Sequence, residues 1–112
     1  MRVKIKYLYG ARISVDIEMS DTPREIIAKA IAQNDKSDVA VIFADETALN
    51  EISEGKCEID TTLSIFTLET REGLVQLDWD IPVGEQVKAQ LSEISNAGRE
   101  VEFIIIIVHY VT

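Results

Sequence analysis

The sequence predicts an α+β fold: a mixed sheet with one helix packed on it, extended by a C-terminal strand-helix-strand segment. Three observations carry this. Residues 1–18 alternate apolar and polar side chains across Gly10, and residues 22–34 join helix-capping signals to an apolar stripe at helical spacing. Residues 82–98 repeat such a stripe and lead into an isoleucine-rich run.

Val3, Ile5 and Tyr7 share one face of the first strand, with Arg2, Lys4 and Lys6 on the other. Ile13, Val15 and Ile17 repeat the pattern on the return strand, where Ser14, Asp16 and Glu18 face away. A turn near Tyr9 and Gly10 lays the basic face of one strand beside the acidic face of the next, so these charges read as cross-strand pairs worth about 0.2–1 kcal/mol each. Thr22 is then a good N-cap, Pro23 sits where its missing N–H is harmless, and Glu25 completes a capping box. Ile26, Ile27, Ala30 and Ile31 supply the stripe that packs on the hairpin, and the helix should end near residues 33–34.

A polar connection at 35–38 precedes an apolar strand at 39–44, a polar loop at 45–56 and a strand at 62–68. Residues 69–73 read as a turn and 74–81 as an imperfectly alternating strand. Pro82 opens a second helix, in which Val83, Val87, Leu91 and Ile94 form the buried stripe and Gly98 the left-handed cap. The last strand, 100–112, contains Ile104 to Ile107 and is expected to be buried on both faces. Residues 63–108 weakly echo the opening strand-turn-strand-helix-strand order. The expected organisation is one unit over 1–72 with residues 73–112 packed on it, or a degenerate second ββαβ unit starting near residue 62.

At 112 residues and 46% hydrophobic, the chain fits one compact domain with a real core. A net charge of −9 argues against nucleic acid or an anionic membrane as the main partner, since both require clustered Lys or Arg. Cys57 is the single cysteine, so neither an intrachain disulfide nor a cysteine-based zinc site is expected. The chain opens directly on a strand pattern, and the longest apolar run is too short to span a bilayer. A cytoplasmic protein is the expectation.

Chemistry-bearing constellations are sparse. His109 alternates with apolar residues and reads as structural, while Cys57 lies in a polar stretch with no partner close in sequence. Asp78 and Asp80 share a strand face and can be read as a cation or acid pair or, more simply, as a solvated edge. Gly84 and Gly98 stand alone, without the glycine-rich run of a phosphate loop. Trp79 and Tyr7 read as core or interface aromatics. No enzyme activity, cofactor or metal is expected.

Across the first seventy residues the chain resembles the ubiquitin family. Met1, Lys6, Leu8, Gly10, Ile13, Glu18, Ser20, Asp21, Thr22, Ala28 and Lys29 match at the same offsets, and Ile42-Phe43-Ala44 and Thr62-Leu63 match after a two-residue shortening. The resemblance implies a ubiquitin-like β-grasp and, carried over residue by residue, an apolar docking patch of Leu8, Ile42 and Phe66, with Ser64 replacing a histidine. The alternative is that the C-terminal segment covers these side chains. A conjugated modifier of that family ends in Gly-Gly, whereas this chain ends Val-His-Tyr-Val-Thr. Gly73 lies near where such a tail would finish and is either a hairpin-turn glycine or a processing site. The expected function is a non-enzymatic protein–protein interaction module, an adaptor or scaffold subunit that binds other proteins through an exposed sheet face. The alternatives are a modifier precursor cleaved near Gly73 and a homodimer made by exchanging or edge-pairing the last strand.

Overall fold

The computed structural model describes residues 1–7, 12–34 and 64–107, with the side chains of Tyr7 and Ile107 left aside. In chain order the described elements are β1 (Arg2–Tyr7), β2 (Arg12–Asp16), α1 (Pro23–Gln33), β3 (Ser64–Thr70), β4 (Gly73–Leu77), α2 (Val83–Asn96) and β5 (Glu102–Ile107). The Gly10 turn, the strand expected at 39–44, the loop at 45–56, and residues Leu8, Ile42, Cys57 and His109 lie outside the described residues.

The strands form one mixed sheet in the order β2-β1-β5-β3-β4. β1 pairs antiparallel with β2, aligning Val3 with Val15 and Ile5 with Ile13, and parallel with β5, aligning Ile5 with Phe103. β3 pairs antiparallel with both β5 and β4. The final strand is thus central, and β5, not β3, lies against β1. The boundary expected after residue 72 falls in the tight β3–β4 turn of one continuous sheet, so residues 73–107 complete the sheet instead of packing on a finished unit. The described part of the last strand, β5, is flanked on both sides and so presents no free edge along Glu102–Ile107.

Period-2 alternation gives the sheet one apolar face. Val3, Ile5, Ile13, Val15, Phe66, Leu68, Leu77, Phe103 and Ile105 are buried there with Ile26, Ile27 and Ala30 of α1 and Val83, Val87, Leu91 and Ile94 of α2 in a single core. Both helical stripes are where the sequence places them. Thr22 accepts the Glu25 N–H while Glu25 reaches back to the Thr22 N–H, so the expected capping box is present. Gly98 has φ +70, and the Gly98 and Arg99 N–H groups donate to the Ser95 and Ile94 carbonyls, which closes α2 with a Schellman motif.

The starts of the two helices are locked to each other. Val83 N–H donates to the Asp21 carbonyl and Gly84 N–H to the Met19 carbonyl, both at 2.9 Å, and Arg24 N–H donates to the Trp79 carbonyl at 3.2 Å. A Cβ on Gly84 would sit 2.8 Å from the Met19 carbonyl oxygen, so this approach requires glycine. Among the described residues no helix is long and apolar enough to cross a membrane.

Candidate docking surface

The sequence-derived patch does not assemble on the described surface. Phe66 is fully buried, its ring centroid 5.0 Å from that of Phe103 and 5.4 Å from that of Trp79, so it is a core residue and not a docking residue. The alternation of β3 turns Phe66 and Leu68 toward the helices. Ser64 is half-buried, and its carbonyl accepts the Trp79 indole N–H at 3.1 Å. Leu8 and Ile42 lie outside the described residues.

Gly73 opens β4 with φ +119, opposite Thr70 across the turn formed by Arg71 and Glu72. The Thr70 hydroxyl spans that turn, donating to the Gly73 carbonyl and accepting the Glu72 N–H. Residues beyond Gly73 supply most of β4, all of α2 and the central β5, and the geometry at Gly73 is that of a turn glycine. Asp78 and Asp80 also have local work. Asp78 accepts the Asp80 N–H, and Asp80 meets Arg24 at 3.0 Å.

The outer face of the sheet carries the charges. Arg2 pairs with Asp16 at 3.3 Å as expected, but Lys6 lies opposite Arg12 and turns to acids distant in sequence, 3.7 Å from Glu69 and 3.9 Å from Glu102. Arg12 lies 2.7 Å from the Glu102 Oε1, which makes no hydrogen bond of good geometry among the described residues. Burial raises the Glu102 pKa above its ordinary value, helped by a shared hydrogen bond with Glu69 and only partly opposed by Arg12 and Lys6. These charges neutralise one another across four strands and read as sheet cement.

The carboxylate of buried Asp21 plays the same part between α1 and the chain that leads into it. It accepts the Glu18 N–H at 2.8 Å and the Lys29 ammonium at 2.6 Å. Burial pulls its carboxyl upward, but those two donors outweigh it and hold its pKa below the ordinary value. Its carboxylate in turn raises the Lys29 pKa.

The two edges of the sheet are treated differently. On β2, the Gln33 side chain accepts the Asp16 N–H at 2.7 Å and donates to the Asp16 carbonyl at 3.0 Å, while Asn34 donates to the Ser14 carbonyl at 2.9 Å. The end of α1 therefore occupies three of the outward hydrogen-bonding groups of β2, the N–H and C=O of Asp16 and the C=O of Ser14. On β4, the tight turn makes Thr70–Gly73 the closing hydrogen-bonded pair, so every second residue bonds β3 and the backbone groups of Leu74 and Gln76 point outward. No side chain among the described residues covers them. Leu74 is 43% exposed, and the strand Gly-Leu-Val-Gln-Leu carries no charge. Beside it an open groove of about 600 Å³ runs between β4 and α2, with Val75, Ala89, Gln90 and Ile94 along its walls and Arg71 and Arg99 among its charged residues.

Compared with models of known protein families, with curated proteins and with solved structures, the chain matches none. The candidate surface therefore rests on geometry alone. The sequence reading missed it, although a short uncharged run following a turn glycine was the available signal. Edge position is a property of the whole sheet and is absent from any local pattern.

Proposed function

We propose that this chain is a ubiquitin-like β-grasp protein that acts, without catalysis, as a docking module, receiving an extended segment of protein along β4 and the groove beside α2. The mixed sheet carrying a capped helix after its first hairpin supports the β-grasp part. What supports the docking part is the contrast between the edges: part of the β2 backbone is occupied by Gln33 and Asn34, while among the described residues no side chain covers that of β4, which is uncharged and carries the exposed Leu74. Unpaired strand edges promote strand addition unless blocked, and main-chain hydrogen bonds supply affinity when a peptide adds to them. The groove gives alternate side chains of that peptide a place to lie.

The test is selection of binding peptides from a random library, followed by amide chemical-shift mapping on the full chain. Ligands should shift Leu74, Gln76 and Ile94. A set of ligands mapping to the β2 edge or to the outer charged face would overturn the proposal.

A further inference from the structure

We propose that α2 is built as a fixed turn and a hinged arm, with Val87 as the hinge and residues 88–96 as an arm that swings toward β4. The hinge does not depend on what the β4 edge receives. Val87 interrupts the helix with φ −137 and ψ 29, so the residues on its two sides form separate helical pieces. No proline or glycine stands at the break, which falls where a tethered turn ends. On the N-terminal side, Val83 and Gly84 donate to the Asp21 and Met19 carbonyls. Gln86 adds a clamp: its side chain accepts the Asp78 N–H at 2.7 Å and donates to the carbonyls of Asp78 at 3.0 Å and Ile81 at 2.7 Å. On the C-terminal side, no hydrogen bond or ion pair joins residues 88–96 to another element among the described residues. The arm is held by its buried residues, Leu91 and Ile94. Apolar burial is non-directional, so these side chains can slide without breaking a directional bond.

The arm has room to move on one side. The groove of about 600 Å³ takes its helical wall from Ala89, Gln90, Glu93 and Ile94, all beyond Val87, and none of it from residues 83–86. At its far end the arm leads through Gly98, where an added Cβ would meet nothing within 4 Å. The chain is fixed again at buried Val101, whose carbonyl accepts the Lys4 N–H at 2.9 Å. At about 1.5 Å per residue the arm is about 13 Å long, so a rotation of about 20° at Val87 carries its end by about 4–5 Å. Ile94 then moves into the groove that it already borders, toward half-buried Val75, and stays covered. The structure holds the open position, and closure narrows the groove beside β4.

Double electron–electron resonance on the full chain tests this, with Cys57→Ser leaving only introduced cysteines to carry nitroxide labels. Ala28→Cys on α1 is paired with Ser95→Cys on the arm and, as the reference, with Glu85→Cys on the fixed turn; all three sites are exposed. The distances from residue 28 to residue 95 should spread about 4 Å wider than those from residue 28 to residue 85. Val75→Phe places a ring in the groove, so it should block closure and narrow the arm's distribution to the width of the reference. Equal widths for the two pairs without that substitution overturn the hinge. A broad arm distribution that Val75→Phe leaves unchanged overturns movement toward β4, and the proposal with it.

Discussion

Replacing Gly84 by alanine should destabilise the protein, although it lies in a helix, where the same change ordinarily stabilises by about 1 kcal/mol. The new Cβ would meet the Met19 carbonyl oxygen at 2.8 Å and the Met19 Cβ at 3.0 Å, and neither is the tip of a flexible side chain. Relief requires the first turn of α2 to back away from residues 19–21. That movement stretches the Gly84–Met19 and Val83–Asp21 hydrogen bonds, both 2.9 Å long. Overpacking of this kind costs about 1–3 kcal/mol, and a weakened backbone hydrogen bond about 1 kcal/mol more. After the propensity gain is subtracted, a net loss of about 1–3 kcal/mol remains, which lowers Tm by on the order of 10 °C in a domain of this size. Urea denaturation followed by circular dichroism measures it directly. A raised midpoint would refute the claim that the two helix starts are held rigidly together.

Phe66→Ala should cost about 3–5 kcal/mol, because it empties a site enclosed by Trp79 and Phe103; an unchanged Tm would return Phe66 to the surface. Asp21→Asn should cost on the order of 2 kcal/mol at neutral pH, since the Glu18 N–H loses its charged acceptor. Because the folded state depresses the Asp21 pKa, its contribution is present above the ordinary value of 3.8 and disappears as pH falls through the folded value, so the variant should show a flatter acid limb in a stability–pH profile. Glu102 works in the opposite sense. Its pKa is raised in the fold, so its ionisation subtracts stability as pH rises from about the ordinary 4.5 through the folded value; Glu102→Gln should remove that decline, read from Tm against pH.

Much of the architecture was legible because it is written in local chemistry. Thr22 and Glu25 specify a cap through groups three residues apart, and Gly98 specifies a stop because a left-handed backbone is cheap only for glycine. The apolar stripe of Val83, Val87, Leu91 and Ile94 and the alternation of β1 and β2 needed only their own periods. The candidate site was not legible in this way. Phe66 and Ser64 sit on a strand with buried residues on both faces, and alternation without knowledge of its neighbours does not say which face meets the helices.

What the sequence determined by itself was the inventory: an α+β chain, its capped helices, most of its strands and most of the residues that form its core. Only the tertiary structure decided where each strand lies. It placed β5 between β1 and β3, turned Phe66 inward, matched Lys6 with Glu69 and Glu102, and set β4 at an edge that no described side chain covers while Gln33 and Asn34 engage part of the β2 edge. Strand order is set by pairings between segments up to about a hundred residues apart, whose hydrogen bonds are the same for every backbone. Their choice is made by the fit of the whole core, which no local window contains.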